Sequence, residues 1–130
     1  MKNNNPLKLR RTGWIWQGLA PQQTDPEMYQ FCNTVYGYRA AFITIRKLVW
    51  RRNRNTVAKV LTEWDPDAEG SDQQLYTARV CALTGLSPND ILNPLDANQM
   101  IPLVGAISRI ENKEHPQMSD IVAAWRIYMG

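Results

Sequence analysis

From Tyr36 onward, apolar side chains recur at spacings of three and four residues, and this periodicity limits the fold more than any other feature of the chain. Such spacing gives a helix one apolar face, which must be buried against another element. In Tyr38–Arg52 the stripe is Ala41, Ile45, Leu48 and Val49, with Arg46, Arg51 and Arg52 largely off it. Asn55 is placed to cap a short second helix that carries Val57, Val60, Leu61 and Trp64. Ser71 is placed to cap a third, with Leu75, Tyr76, Arg79, Val80 and Leu83 on its stripe and Gly85 as its stop. Ser87-Pro88 predicts a short turn of helix. Asp96 or Asn98 then opens a helix striped by Met100, Leu103, Val104, Ile107 and Ile110, at whose end stands Glu111. A last helix is expected after Ser119, with Ile121, Val122, Trp125 and Tyr128. Six helical pieces around one core predict a mostly α domain spanning residues 1–130.

Residues 1–34 read differently. Asn3, Asn4, Asn5, Pro6, Pro21, Pro26 and the run Gln23-Thr24-Asp25-Pro26 favour turns. Two aromatic pieces, Trp14–Leu19 and Met28–Cys32, have the makings of a small β hairpin. The fold class is therefore mostly α, or α+β with a minor N-terminal hairpin. A chain of 130 residues, 44% hydrophobic and 21% charged, can bury a core without a metal or disulfide.

The net charge of +3 conceals two unlike halves. Residues 1–59 carry eleven Lys and Arg against Asp25 and Glu27, a net of +9, while residues 60–130 carry four against ten acids, a net of −6. A basic half suits an acidic polymer, either a cell wall or a nucleic acid, and equally a solvated helix face with a basic tail. Lys8, Arg10, Arg11, Arg51, Arg52 and Arg54 would be the phosphate contacts of a nucleic-acid binder. No helix-turn-helix or RNA-recognition signature accompanies them, so that reading ranks last.

Several chemistries lack their residues. Cys32 and Cys81 form no CxxC, and two buried reduced thiols are expected, with a Cys32–Cys81 disulfide left open. His115 is the sole histidine, and no HExxH, Walker loop or dinucleotide fingerprint is present. The loop Asp65-Pro66-Asp67-Ala68-Glu69-Gly70 fits the opening of an EF-hand, but loop position twelve is Tyr76 where a bidentate Glu is required. No metal and no cofactor is expected. Met1–Arg11 is polar and basic, so a signal peptide is not expected, nor is a membrane span. The expectation is synthesis in a host cytoplasm, with action at a cell wall or within a virion.

The block NNNPLKLRR, followed by Trp16-Gln17-Gly18, Gln30-Phe31 and Gly37-Tyr38-Arg39-Ala40, resembles a phage and prophage family of virion structural proteins. Members of that family open with RNNNPGNIR and continue with W-x-G, QF and G-x-RA. Asn55-Thr56-Val57, Trp64 with Pro66 and Glu69, Tyr76 with Val80, Ala106-Ile107 and Glu111-Asn112 continue the resemblance in the same order. This chain departs from the pattern at NNNPLKL, at Asp65-Pro66-Asp67, at Gly70 and at Lys113. The opening is also similar to the glucosaminidase and muramidase group of the lysozyme-like superfamily, in which a helix ending in a catalytic glutamate precedes an N-N stretch. Here Ala106–Asn112 looks like that helix, placed C-terminally. The resemblance thus implies a circularly permuted lysozyme-like domain in which Glu111 folds back beside Asn4 and Asn5.

That resemblance implies a peptidoglycan-cleaving hydrolase of muramidase, glucosaminidase or lytic transglycosylase type, acting in cell-wall lysis or cell entry. Such cleavage needs a protonated carboxylic acid aimed at the leaving oxygen. Glu111 is the first candidate and Glu69 the second. Asn4, Asn5, Gln30 and Tyr38 would hold acetamido and hydroxyl groups, and Trp14 and Trp16 would stack on sugar faces. Each also has a plain structural role open to it. Glu111 at a helix end can pair with Arg109 or Lys113, Glu69 can favour the start of the following helix, and the tryptophans can pack. The alternative function is a non-catalytic virion structural or wall-binding module, with peptidoglycan and other virion proteins as partners.

Overall fold

The computed structural model describes residues 1–64 and 71–130. Five helices follow one another among these residues: α1 (Thr34–Arg51), α2 (Val57–Leu61), α3 (Ser71–Thr84), α4 (Ala97–Asn112) and α5 (Met118–Met129). The fold is mostly α. Helix α1 packs along α5, α4 packs against both, and α3 covers the other side of α4.

Helix α1 begins four residues before the expected stripe because Asn33 caps it, its side-chain oxygen accepting from the Tyr36 amide. Tyr38, Phe42, Ile45 and Leu48 turn inward and meet Leu103, Ile107 and Ile121 in one core. Phe42 lies 5.1 Å from the Trp125 ring and 5.5 Å from that of Tyr128. The cap of α2 is Thr56, which accepts from the Lys59 amide; Asn55 does not cap, and its carbonyl receives the Leu92 amide instead. Asp96 caps α4 as expected, accepting from the Asn98 amide. At α5 the cap position is Gln117, not Ser119, which is already inside the helix.

Helix α3 presents a different face from the one its leucines suggest. Val80 is fully buried and Thr77 nearly so, whereas Leu75 is 61% and Leu83 44% exposed. The helix ends as expected at Gly85, which takes a positive φ and donates to the Cys81 carbonyl. The Ser71 side chain lies outside the described residues. Ser87-Pro88 forms a turn closed by Asp90, whose amide reaches the Ser87 carbonyl and whose carboxylate accepts from the Ser87 amide, so six expected helical pieces become five. Both cysteines are free thiols, and Cys32 is exposed rather than buried.

Residues 1–33 form irregular backbone tied by main-chain bonds between distant positions, such as Tyr29 to Leu9 and Phe31 to Asn3. The expected pairing of the two aromatic pieces is present as an isolated antiparallel bridge, Leu19 to Phe31, and a second bridge joins Arg10 to Met28. No longer strand forms among the described residues. Asn3, Asn4 and Lys8 take left-handed backbone conformations, which Asn tolerates better than most residues. The resulting turn presses the Asn4 carbonyl and the Pro6 ring onto Gly37 of α1, where a Cβ would collide with both. Two distant side chains latch the segment: the Trp64 indole donates to the Leu7 carbonyl at 2.9 Å, and the Asn112 amide donates to the Pro6 carbonyl at 2.8 Å.

Candidate functional site

Between the irregular segment and the helices lies a groove of about 730 Å³. Glu111 lines it from the end of α4, with its side chain 18% exposed. Its Oε1 accepts a long 3.4 Å bond from the Tyr76 hydroxyl, and its Oε2 stands 3.9 Å from the Lys8 ammonium. These described partners come from α3 and from the N-terminal turn, not from Arg109 or Lys113.

Part of the lining is aromatic. Trp14 and Trp16 line the groove with ring centroids 6.0 Å apart, and Trp16 meets Tyr29 edge-on at 6.5 Å. The Tyr29 hydroxyl fixes this wall, donating to the Trp14 carbonyl at 2.6 Å and accepting from the Thr12 amide at 3.2 Å. Trp14 keeps 51% of its surface exposed. Lys47 reaches over from α1, its ammonium 3.2 Å from the Trp14 centroid and 5.1 Å from that of Trp16. Burial is the main influence lowering the Lys47 pKa, helped by the like charges of Arg51 and Arg46.

A second carboxylate, Glu63, also lines the groove. Its oxygens face Arg54 at 3.5 Å and Arg52 at 3.9 Å. Glu63 carries no signal in the sequence, being a single acid just past a short helix. Lys47 is equally silent there, one cation among eleven in its half of the chain. Glu69, together with the whole Asp65–Gly70 loop and its partial EF-hand pattern, lies outside the described residues.

Four residues expected to hold sugar are occupied by the chain itself. Asn5 is 1% exposed; its amide nitrogen donates to the Leu9 and Tyr29 carbonyls, and its oxygen accepts from the Leu9 amide. Asn4 donates to the Phe31 carbonyl and accepts from the Thr34 hydroxyl. The Gln30 side-chain oxygen gathers the Thr24 and Asp25 amides. Tyr38 is fully buried, its hydroxyl 2.8 Å from that of Ser108, and burial raises its pKa. None of the four lines the groove. Of the expected site residues that are described, the groove brings together Glu111, Trp14 and Trp16.

No protein-family model matches the chain, and no curated protein matches it significantly. Among the described residues no helix is long and apolar enough to cross a membrane, and no group of three metal-ligating side chains occurs.

Proposed function

We propose that the groove binds a peptidoglycan glycan strand and that Glu111 protonates the leaving glycosidic oxygen, in a lysozyme-like domain of phage or prophage origin. One observation carries this reading: a helix-end carboxylate and two tryptophans share the walls of a single groove. Sugar rings stack on indole faces, and a proton donor must share the groove with the bound sugar. The motif resemblance supports it as well. The Asn112–Pro6 bond sets the end of α4 against the N-terminal turn, the adjacency that a permuted arrangement requires. Glu63 in the same groove would serve an inverting or retaining enzyme as the second carboxylate, whereas a lytic transglycosylase uses the sugar's own hydroxyl and needs Glu111 alone. The protein would then act at the cell wall or within a virion, after synthesis in the host cytoplasm.

A second reading keeps the groove and drops the turnover. Tyr76 and Lys8 engage the two Glu111 oxygens, an arrangement suited to a structural or wall-binding virion component. Clearing of purified peptidoglycan by wild type and by Glu111→Gln separates the two. Clearing by the wild type alone is the expected result. Clearing by both proteins would move the chemistry to another carboxylate, such as Glu63 or Glu69. Sedimentation with peptidoglycan in the absence of any clearing would favour the binding module.

A further inference from the structure

Among the described residues, four cations and two carboxylates line the groove, and they are not evenly matched. Lys8 stands 3.9 Å from Glu111, and Arg52 stands 3.9 Å from Glu63. Arg10 and Lys47 have no carboxylate within ion-pair distance among the described residues. Among the described residues the groove therefore holds two positive charges without a carboxylate partner, and one of them rests on the aromatic platform. The Lys47 ammonium lies 3.2 Å from the Trp14 centroid, on a face that a stacked sugar ring would need.

We propose that Lys47 and Arg10 are specificity-determining residues that make this groove select sugar chains bearing carboxylates over neutral ones of the same length. This rests on the glycan reading above. A ring that stacks on the Trp14 face under Lys47 must displace its ammonium. A neutral sugar takes the indole face and leaves that cation without a partner. A sugar carrying a carboxylate gives the displaced ammonium an ion pair in a partly dehydrated groove, where such a pair is stronger than in open solvent. Arg10, exposed on the same wall and fixed in its backbone by the bridge to Met28, stands ready for a second carboxylate along the strand. The lactyl ethers of alternate sugars in a peptidoglycan strand stripped of its stem peptides have this chemistry; chitin-type chains do not.

The test uses the full chain and three soluble probes in low salt, followed by titration calorimetry. The probes are a neutral N-acetylglucosamine tetrasaccharide, a peptide-free tetrasaccharide alternating N-acetylglucosamine with N-acetylmuramic acid, and a short single-stranded oligonucleotide. The wild type is expected to bind the carboxylated sugar about tenfold more tightly than the neutral one, and the difference should shrink as salt screens it. The Lys47→Gln, Arg10→Gln double variant should lose that preference while holding the neutral sugar at least as well, because the Trp14 face is freed. Near-UV circular dichroism of the variant checks that the tryptophan wall is intact, and each single variant repeats the comparison if it is not. Equal binding of both sugars by the wild type, or a preference that survives in the variants, overturns the inference and leaves the glycan reading standing. Binding of neither sugar removes both. Tighter binding of the oligonucleotide than of either sugar also overturns it, since bases stack on tryptophan too and phosphates would then be what the cations read.

Discussion

In residues 1–33 side chains share the holding of the backbone with scattered main-chain bonds, and in the helices the backbone holds itself. Asn5, Gln23, Asp25 and Gln30 each satisfy main-chain groups that no strand or helix supplies with partners. In the helical body, intrahelical bonds satisfy the main chain, and Phe42, Leu103, Ile107 and Ile121 join helix to helix by apolar burial. The first kind of structure depends on a few irreplaceable polar atoms. The second is spread over many interchangeable contacts, each worth less in geometry but more in buried area. The groove lies where the two meet, with Glu111 and Lys47 from the helices facing Trp14 and Trp16 from the irregular segment.

The contrast can be broken at its strongest point first. Phe42→Ala removes a fully buried ring from contact with Trp125 and Tyr128, and a loss of about 3–5 kcal/mol is expected in denaturant unfolding. A loss under about 1 kcal/mol would show that the α1–α5 seam is not the main support of the body. Asn5→Ala should cost about 2–3 kcal/mol, because it strands a buried amide and buried carbonyls rather than emptying a volume. Its mark should be local, with faster amide exchange at Leu9 and Tyr29 and unchanged protection in α4; uniform loosening would dissolve the distinction between the two regions.

The smallest effect sharpens the comparison through pH. Asp25 has its carboxyl lowered from 3.8 to about 2, first by the Glu27 amide, then by the Asn3 side chain and the Met28 amide, with Lys2 adding to them. A depressed folded value stabilises the segment above about pH 4, where the unfolded carboxyl is also ionised, and this support is lost as pH falls through about 2. The Glu27 and Met28 amide resonances should titrate with a midpoint near 2 and become flat in Asp25→Asn. A midpoint near 3.8 would mean that the carboxylate does not hold those amides in solution.

The helical body was legible in the sequence wherever apolar periodicity and burial coincide. Ala41, Ile45, Leu48 and Val49 are all buried, as are Met100, Leu103, Val104 and Ile107. Helix α3 was not, because Thr77 faces inward while Leu75 and Leu83 face solvent, and a stripe drawn through leucines follows the wrong side. In the N-terminal segment the difficulty is chemical. An amide that holds its own backbone and an amide that would hold an acetamido group are the same residue in the sequence, so Asn4, Asn5 and Gln30 read as ligand contacts. Glu111 was singled out through the motif resemblance, which places it at the end of a helix. Glu63 and Lys47 sit at positions where charge is the norm, and only their common groove sets them apart.

The two latches on the N-terminal turn also order events in time. Leu7 waits for Trp64, fifty-seven positions on, and Pro6 waits for Asn112, one hundred and six positions on. Contacts between such distant parts of a chain close slowly, since the intervening residues must first be gathered. The N-terminal turn is therefore expected to complete its packing only after Trp64 and Asn112 are in place. The aromatic lining of the groove stays without Glu111 until α4 has docked.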